Sequence, residues 1–139
     1  MFVIEKKFDI AIGHRLSKHK GKCKSIHGHN LTILVGIRSE KLDENDMVID
    51  FYDLKQYVDI FLKDWDHSLL LNKCDEYLTS YVPSGTKPEF FEFDPTSERL
   101  AELLFHKLEA NLAMDREEVK LDYITIYETE GSQATYYED

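Results

Sequence analysis

The chain has 139 residues, 42% of them hydrophobic and 32% charged, and a net charge of -10. That balance predicts one soluble globular domain over 1–139 with a core of its own, and it excludes a disordered or fibrous chain. The acidic surplus argues against nucleic acid as a partner, and no apolar run approaches the roughly 20 residues that cross a bilayer, so no membrane partner is expected.

The opening MFVIEKKFDI has no basic head followed by a long apolar stretch, so no signal peptide is expected. Two cysteines, Cys23 and Cys74, make no disulfide framework, which points to a reducing, cytoplasmic setting. Phe2, Ile4, Phe8, Ile10 and Ile12 share one side of an alternating stretch, with Lys7 and Asp9 among those on the other. This predicts a half-buried strand over 2–14, with His14 on the apolar parity at its far end. A loop rich in Gly and Lys follows at 18–24, then a second strand over 27–38. There His27, His29, Leu31, Ile33, Val35 and Ile37 share a face. All three histidines therefore take the core-facing parity of neighbouring strands.

Residues 40–46 (EKLDEND) read as an acidic turn. Asp53 reads as a helix N-cap with Gln56 as its capping-box partner, and Leu54, Val58, Phe61 and Trp65 recur at helical spacing to about Asp64. The stretch 72–95 carries all three prolines and reads as a long loop, either a binding loop or a cover between subunits. Thr96 or Ser97 then caps a second helix with Leu100, Leu103, Leu104 and Leu108 on one face. Val119–Thr129 alternates again, with Ile124, Ile126 and Glu128 on one parity, and Gly131 turns into a last strand at about Ala134–Tyr137. The order strand, strand, helix, helix, strand, strand predicts an α+β layer with both helices on one sheet face.

The stretch HRLSKHKGKCKSIHGH at 14–29 concentrates the chemistry. His27 and His29 with His14 offer three neutral nitrogen ligands, and three protein ligands with an open fourth position is the catalytic zinc pattern. The plain alternative is a set of polar residues at a loop rim. Cys23 sits among lysines, which favour its thiolate, although a single cysteine is more often inert. His19 reads as a loop residue and Cys74 as structural. Asp66-His67 is a candidate acid–base pair, or simply a polar helix end. Glu128 is an acid on an apolar parity, so it requires a partner: adjacent N–H donors of a flat ligand, or a cation of the chain.

These residues fall in motifs that come in a familiar order. FDIAIGH, C-x3-HGHN at 23–30, MVIDFYDLK at 47–55, WDHSLLLN at 65–72, PTSERLA at 95–101 and ITIYET at 124–129 together resemble the family of 6-pyruvoyl and 6-carboxy tetrahydropterin synthases. Two departures stand out: Ala11-Ile12-Gly13 precedes His14, and the 73–94 loop is longer than in compact members. The resemblance implies a T-fold subunit, with a four-stranded antiparallel sheet carrying two helices on one face. It further implies assembly into a barrel-shaped homohexamer, a dimer of trimers, with sites at subunit interfaces. It implies His14, His27 and His29 as zinc ligands, Cys23 as base or nucleophile, and Asp66 with His67 as its relay. Glu128 would anchor the pterin with Thr129 beside it, and Thr96 and Ser97 would line the pterin pocket. The implied substrate is 7,8-dihydroneopterin triphosphate. The expected activity is 6-carboxytetrahydropterin synthesis with release of acetaldehyde and triphosphate. A 6-pyruvoyl tetrahydropterin synthase is the alternative, and a non-catalytic pterin- or metal-binding module is the alternative of another class. The lysines of 15–24 either attract the triphosphate or are ordinary solvated charge.

Overall fold

The computed structural model describes the backbone of residues 1–139 and all side chains except those of Tyr77 and Thr79. Its first two strands, β1 (Phe2–His14) and β2 (His27–Ser39), pair antiparallel along their whole length, from Phe2 opposite Ser39 to His14 opposite His27. Helix α1 (Phe51–Trp65) follows, then β3 (Ser68–Asn72), the single turn α2 (Glu76–Thr79) and β4 (Pro88–Phe91). The long helix α3 (Ser97–Asp115), β5 (Lys120–Thr129) and β6 (Ser132–Tyr136) complete the chain.

The sheet has six strands in the order β4-β3-β1-β2-β5-β6, not four. The additional pair lies at one edge: β3 runs parallel to the last residues of β1 (Ile12–His14), and β4 runs parallel to β3. The sheet is therefore mixed. The stretch 72–95 is not one long loop, because β4 and α2 lie within it. The Leu69–Leu71 run is buried on both faces, so it lacks the alternation of a half-buried strand. Leu69 and Leu71 pack with Leu78 and Val82 in a small second cluster, so part of the 73–87 segment covers the protein's own sheet edge.

The main core lies between the sheet and the two long helices. Ile10, Ile12, Leu31, Ile33, Val35, Ile37, Ile124 and Ile126 meet Leu54, Val58, Leu62 and Trp65 of α1 and Leu100, Leu104, Leu108 and Leu112 of α3. The strand parity expected from the alternation holds from Phe8 onward. Phe2 departs from it: it is 47% exposed and lies outside the core cluster. The N-cap of α1 is Asp50 rather than Asp53: its carboxylate accepts from the Tyr52 N–H, and Asp53 is already in the first turn. Thr96 caps α3, accepting from the Arg99 N–H.

Candidate metal centre

Pairing of β1 with β2 sets His14 opposite His27 and Ile12 opposite His29, so the three imidazoles leave one face at the end of the hairpin. Their ring centroids lie 4.5, 5.1 and 5.0 Å apart, all edge-on, and their ligand nitrogens lie within 4.8 Å of one another. Among the described residues this is the one group with the spacing to hold a metal ion.

The second nitrogens decide what the group can do. His14 Nδ1 lies 2.9 Å from the Pro95 carbonyl, and His27 Nδ1 lies 2.7 Å from the Ser25 carbonyl. A carbonyl only accepts, so both Nδ1 atoms carry a proton, and in the neutral form of each ring Nε2 presents a lone pair. Yet His14 Nε2 and His27 Nε2 stand 3.0 Å apart. Two facing lone pairs repel unless a cation lies between them. Ligating histidines that donate their other N–H to a carbonyl are the usual support of a metal site. His14 is 1% exposed. Burial lowers its pKa, aided by His27 and His29 and opposed by the Pro95 bond and Glu128, which keeps the ring in its ligand form. The donor set thus fits a metal that prefers nitrogen.

Glu128 reaches the same place from β5. Its Oε1 lies 3.7 Å from His14 Nε2 and 3.9 Å from His29 Nε2, beyond hydrogen-bond distance. Beside it a groove of about 650 Å³ is lined by His29, Tyr127, Glu128 and Thr129. Thr129 is exposed, and its hydroxyl accepts from the Gly131 N–H in the turn to β6. Thr96 and Ser97 follow Pro95 directly, so the start of α3 is tied to His14 through the carbonyl between them.

Cys23 sits half-buried on a 3-10 turn, Lys22–Lys24, and is not one of the clustered ligands. The structure leaves Asp66 and His67 elsewhere. The Asp66 carboxylate accepts from the Ala11 N–H (3.0 Å) and meets His67 Nδ1 at 2.9 Å, while the His67 N–H donates to the Ala11 carbonyl. The Ala11 hydrogen bond, with help from His67 and against partial burial, lowers the Asp66 pKa. The His67 side chain is 81% exposed. The two side chains thus meet each other, but no contact joins them to the three histidines among the described residues.

Sequence reasoning missed the supports. Neither the Pro95 nor the Ser25 carbonyl has a side-chain signature. Asp94 was also overlooked, although an acid directly before Pro-Thr-Ser at a helix start is a visible candidate. Its carboxylate accepts from Ser17 Oγ (2.6 Å), the Lys18 N–H (2.9 Å) and Asn72 Nδ2 (3.1 Å), fastening the loop that carries Cys23 to the end of β3. Arg15 pairs with buried Asp75 at the same place.

A helix-backed sheet with three histidines converging at the end of its first hairpin defines a T-fold subunit with a candidate metal centre. The chain belongs to the 6-pyruvoyl tetrahydropterin synthase family, whose model matches residues 3–139. It is 30% identical to the Haemophilus influenzae 6-carboxy-5,6,7,8-tetrahydropterin synthase, over 99% of this chain and 100% of that one. The Caenorhabditis elegans 6-pyruvoyl tetrahydropterin synthase superposes with a TM-score of 0.74 at 28% identity, covering 99% of this chain and 96% of its own. An uncharacterized Wolinella succinogenes protein shares the fold, with a TM-score of 0.86 at 22% identity over 99% and 98% of the two chains.

Proposed function

We propose that the protein is a zinc-dependent 6-carboxy-5,6,7,8-tetrahydropterin synthase. It converts 7,8-dihydroneopterin triphosphate to 6-carboxytetrahydropterin, acetaldehyde and triphosphate, on the route to 7-deazaguanine products such as queuosine. The observation that carries this reading is the 3.0 Å approach of two Nε2 lone pairs whose Nδ1 protons are both committed to carbonyls. Relatives bearing that enzyme's name along the full chain support the choice of product.

His14, His27 and His29 hold the zinc, which when bound supplies a Lewis acid toward the hydroxyls of the substrate side chain. Cys23 takes and returns the proton at the side-chain carbon, and Asp66 with His67 carries that proton onward. Glu128 accepts from the adjacent N–H groups of the aminopyrimidine edge, with Thr129 beside it. Thr96 and Ser97 line the pterin pocket at the start of α3. Because no contact among the described residues joins Asp66 and His67 to the histidines of their own copy, they serve the histidines of another. The working form is a homohexamer, a dimer of trimers, in the cytoplasm. No helix among the described residues is long and apolar enough to cross a membrane.

The second reading is 6-pyruvoyl tetrahydropterin synthase, favoured by the Caenorhabditis elegans neighbour. Incubation with dihydroneopterin triphosphate separates the two: 6-carboxytetrahydropterin with acetaldehyde is expected, and a pyruvoyl pterin refutes the first reading. A binding module without catalysis is separated by Cys23→Ala. Turnover should vanish while zinc and pterin binding remain, and full turnover would overturn the assigned mechanism.

A further inference from the structure

The 27 acids of the chain are unevenly placed: none occurs between Asp9 and Glu40. Within that interval, Lys18, Lys20, Lys22 and Lys24 crowd the loop joining His14 to His27, and all four are solvent-accessible. Among the described residues none of the four takes part in an ion pair. Lysines elsewhere do pair: Lys55 with Asp59, and Lys73 with Glu92.

The loop is built rather than slack. The Leu16 N–H donates to the Cys23 carbonyl (3.1 Å) and closes it, and the His19 N–H donates to the Leu16 carbonyl (3.0 Å). The Lys24 and Ser25 N–H groups bond back to Gly21 and Lys22. The Gly21 N–H donates to His19 Nδ1 at 2.8 Å. Asp94 and Asp75 hold its base, and they do so through Ser17 Oγ, the Lys18 backbone and Arg15. The acids that fasten the loop therefore leave its four ammonium groups uncompensated. Like charges fixed this close repel one another, and a polyanion relieves that repulsion. Each end of the loop runs straight into a histidine of the metal cluster.

We propose that the Lys18–Lys24 loop is the docking site for the triphosphate end of the substrate, on which binding also fixes Cys23 beside the reacting side chain. The inference rests on the pterin-triphosphate reading of the site and names the group that receives the leaving polyphosphate. Lysine suits such a role because it binds as a hydrated point charge without the bidentate grip of arginine, so the released triphosphate can depart.

The probe is sodium tripolyphosphate, titrated calorimetrically into the full chain as purified with its metal. Wild type should bind it, with affinity falling steeply as salt is raised. The K18S/K20S/K22S/K24S variant should bind it at least tenfold more weakly while keeping its metal content. The corresponding four-fold Lys→Arg variant should retain binding, which separates lost charge from a damaged fold. With dihydroneopterin triphosphate the serine variant should raise KM more than it lowers kcat. Equal tripolyphosphate affinity in wild type and serine variant, or no binding by wild type, overturns the proposal. If wild type makes no pterin product yet binds tripolyphosphate through these lysines, the enzymatic reading fails and the polyanion site stands. If product forms and the lysines prove irrelevant, only the docking proposal fails.

Discussion

Asp94 is the residue whose removal tests most directly how the Cys23 loop is held. Its buried carboxylate takes three hydrogen bonds, from Ser17 Oγ, the Lys18 N–H and Asn72 Nδ2. Bonds to a charged acceptor contribute about 1.5–3 kcal/mol each, and they are not additive where all three share one group. Asp94→Ala leaves the Lys18 N–H and the Asn72 amide without their acceptor, so a loss of about 3 kcal/mol is expected, near 10 °C in melting temperature for a chain of this length. Burial raises the Asp94 pKa, but those three bonds outweigh it and hold the carboxyl below its ordinary 3.8. A depressed folded pKa means stability that is complete above the unfolded pKa and lost as pH falls through the folded one. The gap between wild type and Asp94→Ala should therefore be full at neutral pH and close in acid below the ordinary Asp range. Urea unfolding across pH measures the gap, and amide exchange at Lys18 reads the loop itself. A variant as stable as wild type at pH 7, or a gap that widens in acid, would refute the account.

Three further outcomes follow from the packing and the site. His27→Ala should lower metal content and remove the rise in melting temperature that added zinc gives wild type; at zinc one hundred times its Kd that rise corresponds to about 2.7 kcal/mol. Pro95 holds His14 by its carbonyl, so shifting the start of α3 with Thr96→Ala should cost about 1 kcal/mol and weaken metal binding, read by unfolding and by competition with a chelator. Gly36→Ala places a Cβ 2.3 Å from the Tyr123 ring, whose hydroxyl donates to Glu5, so it should cost about 1–3 kcal/mol instead of gaining the usual strand benefit. Repeating it in a Tyr123→Ala background should recover most of the loss, and no recovery would mean that the ring is not the obstacle.

Much of the fold was legible because its periodicities are strong. Alternation located β1, β2 and β5, and helical spacing located α1 and α3, to within a few residues. β3 and β4 were not legible for a physical reason. Leu69–Leu71 is covered on both faces, and a strand buried on both sides carries no alternation to read. β4 opens on Pro88 soon after a turn at Pro83 to Gly85, signals that read locally as loop, and its pairing to β3 is a tertiary fact. Asp53 was preferred to Asp50 as a cap because Gln56 completes a capping box with it. The backbone turns three residues sooner, since Val48 and Ile49 are drawn into the core and Asp50 is the first polar residue after them.

The site divides along the same line between local and tertiary information. The histidine cluster was legible because β1 and β2 are consecutive and in register, so parity alone brings His14, His27 and His29 to one face. Its supports come from Ser25 and Pro95, and backbone carbonyls leave no trace in side-chain identity. Asp66 and His67 show the opposite case: their identities stand out, but the Ala11 backbone holds them at the outer edge of the same strand. On that side β1 pairs with β3 only from Ile12 to His14, which leaves its earlier residues as an open edge. An unpaired edge of that length is a place where another chain adds. The geometry within one copy thus assembles a histidine cluster and separately holds Asp66 and His67 beside a free strand edge. The sharing of a site between copies proposed above requires both features.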